Sequence, residues 1–281
     1  MLRLFIGRTL VVVAALLVTL APLAARAGAH AAAQPAAAAE RPTILITGSN
    51  RGIGLALAKD FAGAGWNVIA TARNPADAKD LRKLAKKNRS VRIEALDVTS
   101  QDNMRALAAR LKGVPIDVLF HNAAILGDRD DTGNKKQQFG GLDEELFNRV
   151  MLTNVYGPLK LSELLVDNIA ASRQKKIVGM TSGLGSLTLM GRMSRFYYYQ
   201  MSKAALNMGF RALRNDLKPK GITVAILAPG MVETDLLAES GYSGRALTPA
   251  ESAAGLRKLV EGLTLDDPGV PVNVDGKTIP W

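Results

Sequence analysis

The sequence predicts an α/β fold: a doubly wound, three-layer sandwich in which helices cover both faces of a seven-stranded, mainly parallel sheet. Short apolar runs rich in β-branched residues alternate along the chain with helix-forming stretches, as in the βα units of a parallel sheet. Glycines or polar residues follow the ends of these runs, at the sheet edge where open α/β folds bind their ligands. We therefore expect one α/β domain over residues 41–281.

The composition excludes several kinds of site. The chain has 281 residues, no cysteine and two histidines, His30 and His121. Disulfides, thiolate nucleophiles and Cys-based metal sites are therefore excluded, and we predict no metal centre. The formal net charge of +11 favours anionic partners. The basic residues are scattered over helix faces without interleaved aromatics, however, so we predict no nucleic-acid partner.

Residues 1–40 have the pattern of a targeting segment. Arg3 and Arg8 precede the uncharged run 9–25, and an alanine-rich stretch follows. This pattern predicts a signal peptide, or a membrane anchor formed by residues 9–25, with a linker after it. The protein is then exported (periplasmic) or membrane-anchored. A cytoplasmic location and an organellar transit peptide are the alternatives, although transit peptides are richer in serine.

The first βα unit, residues 43–59, contains a glycine-rich turn between an apolar strand and a helix. The turn has the spacing TGxxxGxG, and its candidate contacts are Gly48, Ser49, Asn50, Arg51, Gly52, Ile53 and Gly54. Glycines let the backbone approach a pyrophosphate closely, and the N–H groups and positive dipole end of the new helix attract the anion. The turn therefore predicts a nucleotide-phosphate site; the alternative is a simple connection between strand and helix.

An arginine, Arg73, follows the second predicted strand at residues 66–72. An acidic residue at this point would accept hydrogen bonds from the adenosine ribose hydroxyls, whereas an arginine can pair with a 2′-phosphate. Arg51 adds a second cation within reach, so the pair predicts NADP(H) rather than NAD(H). A surface role for Arg73 is the alternative.

The third and fourth predicted strands also end in residue types that suit ligand binding. Asp97 and Val98 follow the third strand, and Asn122 and Ala123 follow the fourth, where small side chains leave room for a cofactor. His121 has no nearby serine or cysteine nucleophile of the triad kind, so we interpret it as a structural residue.

Two segments before the fifth strand leave alternatives open. The polar segment 127–141 is either a loop that closes over the site or an ordinary surface loop, and we favour the surface loop. Residues 142–165 predict a helix broken at residues 157–158, because proline starts a helical turn more readily than it continues one. Asn154, just before the break, either bonds its own backbone or reaches the site through water.

A serine, a tyrosine and a lysine suggest carbonyl chemistry. The fifth predicted strand, residues 175–181, leads into Ser182, and a later helix carries Tyr199 and Lys203 on one face. Such a set can polarise a carbonyl, donate a proton and lower the phenol pKa through the ammonium. The YxxxK spacing alone is typical of an exposed amphipathic pair, but its place after five βα units favours a catalytic site.

The sixth predicted strand, residues 222–227, precedes a segment with further candidate cofactor contacts. They are Pro229, Gly230, Val232 and Thr234. Thr234 is placed to reach a carboxamide. A helix over residues 251–263 and a short seventh strand within residues 270–281 complete the domain.

These motifs, taken together, resemble the short-chain dehydrogenase/reductase family. They are TGSNRGIG at residues 47–54, Asn122-Ala123, Asn154, Ser182, Tyr199-xxx-Lys203 and Pro229-Gly230 with Thr234. The long loop between Ser182 and Tyr199 and the ending VDGKTIPW are more narrowly similar to the C-factor and Sniffer-like carbonyl reductases.

The resemblance implies a Rossmann-type domain with a nicotinamide cofactor, a small-molecule substrate and a homodimeric or homotetrameric assembly. Tyr199 would donate a proton to the substrate carbonyl, whose oxygen Ser182 would hydrogen-bond. Lys203 would hold the nicotinamide ribose and lower the Tyr199 pKa, and Asn154 would anchor a water. Ser186 is an alternative for the serine role. The residues HNAA at 121–124 depart from the two asparagines, alanine and glycine of the family, which affects sheet support more than chemistry.

Three hypotheses for the function follow. The first is NADP(H)-dependent reduction of a small, fairly apolar ketone or aldehyde, or the reverse oxidation. Its apolar residues near the expected mouth of the site are Met190, Met193, Phe196, Met231 and Leu236. The second is a non-catalytic NADP-binding regulatory or signalling protein, which would need none of the four catalytic residues. Sugar epimerase or dehydratase chemistry is disfavoured, because too few residues follow Lys203 to build a larger substrate domain.

Overall fold

Seven strands form one sheet in a computed structural model that describes residues 41–128, 131, 133–191 and 195–281. They are β1 (Thr43–Ile46), β2 (Asn67–Ala72), β3 (Val91–Ala95), β4 (Val118–His121), β5 (Lys176–Met180), β6 (Thr223–Ala228) and β7 (Val272–Asn273). Their order across the sheet is β3-β2-β1-β4-β5-β6-β7, and every neighbouring pair is parallel. The predicted α/β fold with a seven-stranded sheet is confirmed.

Helices connect the strands and cover both faces of the sheet. Those of the described residues are α1 (Gly52–Gly63), α2 (Lys79–Lys87), α3 (Gln101–Arg110), α4 (Glu144–Met151), α5 (Gly157–Leu164), α6 (Val166–Ala170), α7 (Tyr197–Leu217), α8 (Asp235–Glu239) and α9 (Pro249–Gly262). Short 3-10 turns occupy Lys135–Gln137, Gly183–Gly185 and Lys218–Lys220.

The chain changes its direction of progress across the sheet between β3 and β4. It moves outward from β1 to β3 and then returns, so that β4 pairs with the other side of β1, with Ile44 opposite Val118 and Ile46 opposite Phe120. The carboxyl ends of β1 and β4 therefore flank a crevice at the topological switch point. Doubly wound sheets bind their ligands in this crevice.

Alternating side chains of the strands build two apolar cores, one on each face of the sheet. In β1, Ile44 and Ile46 pack in the core to which α1 and α9 contribute, whereas Leu45 packs in the core with α3, α5 and α7. Each fully buried side chain of this size contributes roughly 1.5–3 kcal/mol. Gly179 of β5 brings α7 close to the sheet, because a Cβ there would lie 2.6 Å from Cε1 of Phe210.

The helix predicted to break at residues 157–158 is interrupted just before them, but it does not stop there. Helix α4 passes into a π-helical segment, Leu152–Tyr156, and Gly157 then has right-handed helical geometry, with φ of −54° and ψ of −52°. Pro158 lies in the first turn of α5, where its missing N–H is tolerated. π-Helical segments are frequent at functional sites, and this one contains Asn154.

The predicted leader and its cleavage or anchoring lie outside the described residues, as does Met193. Those predictions stay predictions. Within the residues that the structure describes, no helix combines the length and the apolar character needed to cross a bilayer.

Candidate active site

A cleft of about 1420 Å³ opens at the carboxyl ends of the strands. Residues that follow each of β1 to β6 line it, as expected for a doubly wound sheet. Of the predicted catalytic and cofactor-binding residues, all line the cleft except Ser49 and Asn154; the alternative serine, Ser186, and Met190, expected near the mouth, also lie outside the lining. Ser49 is buried beneath the turn, where its hydroxyl donates to the carbonyl oxygen of Ile46 at 2.9 Å. The binding and catalytic roles of the lining residues stay predictions.

Within the glycine turn, the start of α1 lies so close to the end of β1 that a side chain would not fit between them. A Cβ on Gly54 would lie 2.2 Å from the carbonyl oxygen of Gly48 and 2.5 Å from Nδ2 of Asn122. Gly48 and Gly52 have φ of +69° and +54°, in the left-handed region that glycine adopts at little cost. No side chain caps the N-terminus of α1, so its first N–H groups are available to an anion in the cleft. The turn therefore fits a phosphate group.

Asn122 and Thr47 fasten the tip of β4 to this turn. Nδ2 of Asn122 donates to the carbonyl oxygens of Thr47 at 2.8 Å and of Gly48 at 2.9 Å. The Thr47 hydroxyl accepts from the backbone N–H groups of Asn122 and Ala123, both at 3.0 Å. Thr47, the first residue of the TGxxxGxG pattern, is almost fully buried and supports the turn from behind.

The two arginines predicted to recognise a 2′-phosphate differ in their pairing. Arg51 forms an ion pair with Asp235, the first residue of α8. Arg73 is exposed, lines the cleft and has no carboxylate partner among the residues that the structure describes. Arg73 is therefore the cation more readily available to an anionic ligand.

The segments that follow β3 and β6 form two walls of the cleft and contain further predicted contacts. Oδ1 of Asp97 accepts from the N–H and hydroxyl groups of Thr99 at 2.9 and 2.7 Å, which fixes the turn that follows β3. Thr234 caps α8, where its hydroxyl accepts from the Leu237 N–H at 3.3 Å. Its methyl carbon would lie 3.4 Å from a Cβ on Gly52, so this wall packs against the glycine turn.

Ser182, Tyr199 and Lys203 meet in the cleft. Ser182 follows β5, and its side chain accepts from the Leu184 N–H at 3.2 Å. Nζ of Lys203 lies 5.5 Å from the centre of the Tyr199 ring and donates to the carbonyl oxygen of Met180 at 2.8 Å. The structure thus brings together the three residue types that the sequence suggested for carbonyl chemistry.

Burial moves the pKa values of Tyr199 and Lys203 in opposite directions. It raises the pKa of the Tyr199 phenol to about 12, with a hydrogen bond to Ser182 acting to lower it. It lowers the pKa of the Lys203 ammonium to about 8. In both groups the loss of water disfavours the charged form. At neutral pH the phenol therefore holds its proton beside a largely charged ammonium.

Asn154 lies behind the cleft and connects two parts of its wall. Its Oδ1 accepts from the Ile125 N–H at 2.9 Å, and its Nδ2 donates to the Ile125 carbonyl oxygen at 2.9 Å and to Oγ of Ser202 at 3.0 Å. The Ser202 hydroxyl in turn donates to the carbonyl oxygen of Tyr199 at 2.7 Å. Asn154 thus ties the segment after β4 to the turn of α7 that carries Tyr199. Its predicted role in holding a water stays a prediction.

Most described residues of the polar segment 127–141 are exposed or half-buried, as in the favoured surface loop, but Asn134 and Gln137 anchor the segment in the interior. Gln137 of this segment is fully buried. Its Nε2 donates to the carbonyl oxygen of Leu126 at 3.0 Å, and its Oε1 accepts from the Tyr199 N–H at 3.4 Å. Gln137 therefore satisfies one of the N–H groups in the first turn of α7, which have no partner within the helix.

The structure separates Ser182 from the alternative serine. Ser186 is buried and lies outside the cleft lining. Its Oγ accepts from the Leu189 N–H at 3.1 Å and lies 3.4 Å from the carbonyl oxygen of Trp281. Ser182 is therefore the serine beside Tyr199.

His121 has the surroundings of a structural residue. Its Nε2 lies 2.8 Å from Oγ of Ser162, and its ring packs edge-on against Phe210 at 5.7 Å between centroids. Burial lowers its pKa to about 3, so the imidazole is neutral at physiological pH. Within the described part of the chain, no group of three or more His, Asp or Glu side chains could hold a metal ion.

The chain is similar to known proteins over most of its length. The family model described as short chain dehydrogenase matches residues 42–243. A 1-hydroxy-2-glutathionyl-2-methyl-3-butene dehydrogenase of Rhodococcus sp. (strain AD45) is 34% identical over 244 residues, which cover 85% of this chain and 99% of the relative.

Two solved structures share the fold over their whole length. The NADPH-bound carbonyl reductase from chicken fatty liver has a TM-score of 0.76 at 29% identity, covering 86% of this chain and 100% of that one. The carbonyl reductase Sniffer of D. melanogaster has a TM-score of 0.74 at 28% identity, with the same coverage of 86% and 100%.

The lowered pKa of Lys203 predicts a pH-dependent stability. In the unfolded chain the ammonium regains its ordinary pKa of 10.5, so between about 8 and 10.5 the unfolded state binds more protons than the folded state. The free energy of unfolding therefore rises with pH in this window. Relative to a Lys203→Met variant, we expect wild type to gain up to about 3 kcal/mol across it.

Denaturant unfolding at a series of pH values measures this gain. A Lys220→Met variant is the matched control, because Lys220 is exposed and we expect no pH-dependent difference from wild type. If the difference in the free energy of unfolding between wild type and Lys203→Met does not change with pH, the burial of this ammonium is contradicted.

Proposed function

The chain belongs to the short chain dehydrogenase family of oxidoreductases, and on that premise we propose that it transfers hydride between NADP(H) and a small carbonyl compound or alcohol. The observation that carries the proposal is the meeting of Ser182, Tyr199 and Lys203 in one cleft with the glycine turn. We favour reduction of a ketone or aldehyde, because a phenol pKa of about 12 keeps the proton on Tyr199 at neutral pH.

Two parts of the cleft suit phosphate groups of the cofactor. The glycine turn has no side chain in the way, and the uncapped N-terminus of α1 suits the pyrophosphate. Arg73 suits the 2′-phosphate, since its guanidinium has no competing carboxylate in the described structure. Arg51 would add to this contact only after giving up Asp235. When bound, the nicotinamide supplies or accepts the hydride. The chicken enzyme, which is NADPH-bound, supports the choice of cofactor.

Each polar residue beside the substrate has a separate task in this proposal. The Ser182 hydroxyl donates to the substrate oxygen and orients the carbonyl, and Tyr199 gives that oxygen its proton. The Lys203 ammonium stabilises the phenolate that remains, because a neighbouring cation favours the charged form. Its bond to the Met180 carbonyl oxygen holds the ammonium in place.

Oxidation of a larger alcohol is the second candidate. The Rhodococcus relative is named as a dehydrogenase of an alcohol that carries a glutathionyl group. In this direction Tyr199 must lose its proton before it can accept one from the alcohol. The raised phenol pKa opposes that step, so we rank oxidation below reduction.

A regulatory protein that binds NADP without turnover is the alternative outside catalysis. Such a protein would need the glycine turn and Arg73 but not the meeting of Ser182 and Tyr199. Assembly into a homodimer or homotetramer, and export or membrane association through residues 9–25, are further proposals that rest on the sequence. Light scattering of the purified protein and fractionation of cells that express a C-terminally tagged chain test them.

Replacing the proton donor tests the proposed function. We expect Tyr199→Phe to lower kcat for NADPH-dependent carbonyl reduction by about 100-fold or more, because the substrate oxygen loses its acid. The dissociation constant for NADPH should change by less than about threefold, since the turn and Arg73 stay intact. Tyr242→Phe is the matched control, because it removes another phenol hydroxyl from the cleft lining. This hydroxyl donates to the Arg245 carbonyl oxygen at 3.3 Å, and we expect its removal to leave kcat near wild type. Equal rates in Tyr199→Phe and wild type would overturn the assignment.

Reversing the charge at the end of β2 tests cofactor choice. We expect Arg73→Asp to weaken NADPH binding by about 10- to 100-fold, because a charge-assisted pair with the 2′-phosphate is lost. NADH binding should change little, as this cofactor has no 2′-phosphate. Arg82→Asp makes the same charge change on α2 outside the cleft lining and should leave both affinities near wild type. A similar loss of affinity for both cofactors in Arg73→Asp would contradict the assignment.

A further inference from the structure

Arg195 lies at the mouth of the cleft that contains Ser182 and Tyr199, and Arg51, Arg73 and Arg149 line the same cleft. It precedes α7, and its guanidinium carbon lies 4.9 Å from the centre of the Phe196 ring. Its side-chain hydrogen bond, to the carbonyl oxygen of Ser240, is long at 3.4 Å. No carboxylate pairs with it within the described residues. The guanidinium is therefore exposed, has free donors and is held over an aromatic ring.

Phe196 fixes this arrangement through an uncommon backbone conformation. Its φ of +60° and ψ of +42° lie in the left-handed region, which is a genuine outlier for a bulky side chain. Such a residue persists only where its surroundings determine it, and such residues cluster at functional sites. The Phe196 ring is buried and packs with Leu126 and Tyr199. The Phe196 ring thus packs against Tyr199, the proposed proton donor, and the Arg195 guanidinium covers the ring near the mouth of the cleft.

Ion pairs in the cleft wall distinguish Arg195 from Arg149. Arg149 also lines the cleft, but Asp128 pairs with it. Asp128 also pairs with Lys136 at 3.0 Å. The guanidinium of Arg149 is thus committed within the protein, whereas that of Arg195 is not.

We propose that Arg195 binds a carboxylate on the substrate, at the end farther from the reacting carbonyl. This inference rests on the proposed function and names its substrate class: aldehydes or ketones that carry a carboxylate beyond an apolar segment. Leu126 and Leu236, which pack with Phe196, face the apolar segment in this arrangement. A guanidinium donates two parallel hydrogen bonds to a carboxylate, and contact with an aromatic ring fixes its plane for this contact.

Matched pairs of substrates test the inference. Each pair consists of an aldehyde or ketone that carries a carboxylate and the methyl ester of that acid. One pair is 4-formylbenzoate with methyl 4-formylbenzoate, and the others are straight-chain oxo acids of increasing length with their methyl esters. The readout is the ratio of kcat/KM for acid over ester with NADPH. We expect wild type to prefer the acid, and Arg195→Gln to lower kcat/KM for the acid by about 10- to 100-fold while the ester changes by less than about twofold.

Two further variants sharpen the test. Arg195→Lys keeps the charge but not the planar pair of donors, so we expect it to retain part of the acid preference. Arg245→Gln removes the same charge from an exposed position outside the cleft lining and should leave the preference unchanged. The preference should also weaken as salt is raised, because the contact is partly exposed.

The possible failures can be told apart. Turnover of acid and ester at equal kcat/KM by wild type, or an equal loss for both in Arg195→Gln, overturns this inference and leaves the proposed function standing. Turnover of neither compound across the whole series overturns the proposed function for this substrate class, and this inference with it.

Discussion

The site depends on a close contact between the first turn of α1 and the carbonyl oxygen of Gly48. Only glycine at position 54 permits it, since a Cβ would lie 2.2 Å from that oxygen. Asn122 also donates to this oxygen, through its side-chain amide at 2.9 Å. Because Asn122 follows β4 and Gly48 follows β1, this contact joins the two strand ends that flank the crevice of the sheet. It also aims the uncapped N-terminus of α1 at the cleft.

A chain of hydrogen bonds connects the segment after β4 to Tyr199, the proposed proton donor. Ile125, three residues beyond Asn122, exchanges both backbone bonds with Asn154, which reaches the carbonyl of Tyr199 through Ser202. The same burial that makes these bonds necessary also shifts the pKa values of the site. The fold therefore holds a buried ammonium at an energetic cost and gains a cation beside a protonated phenol. Stability and the proposed chemistry are therefore in conflict at Lys203, and such conflicts are common at functional sites.

The sequence predicts those features of the site that depend on neighbours along the chain. The strand-to-helix change around Gly48, the cation after β2 and the spacing of Tyr199 and Lys203 are local patterns, and the structure has all of them. Features set by distant partners are not predictable in this way. The burial of Gln137 depends on the backbone of two other segments, and the pairing of Arg51 with Asp235 joins residues 184 positions apart. The π-helical segment likewise replaces a break that proline alone suggested.

The central claim of this account is that the cleft performs hydride transfer and does not merely bind NADP(H). A single-turnover experiment tests it most directly, with NADPH that carries deuterium in the transferable position and a carbonyl substrate. The account predicts deuterium on the carbinol carbon of the product, formed more slowly than with unlabelled NADPH. Bound NADPH that stays reduced across the carbonyl panel, or an alcohol product without deuterium, would contradict it.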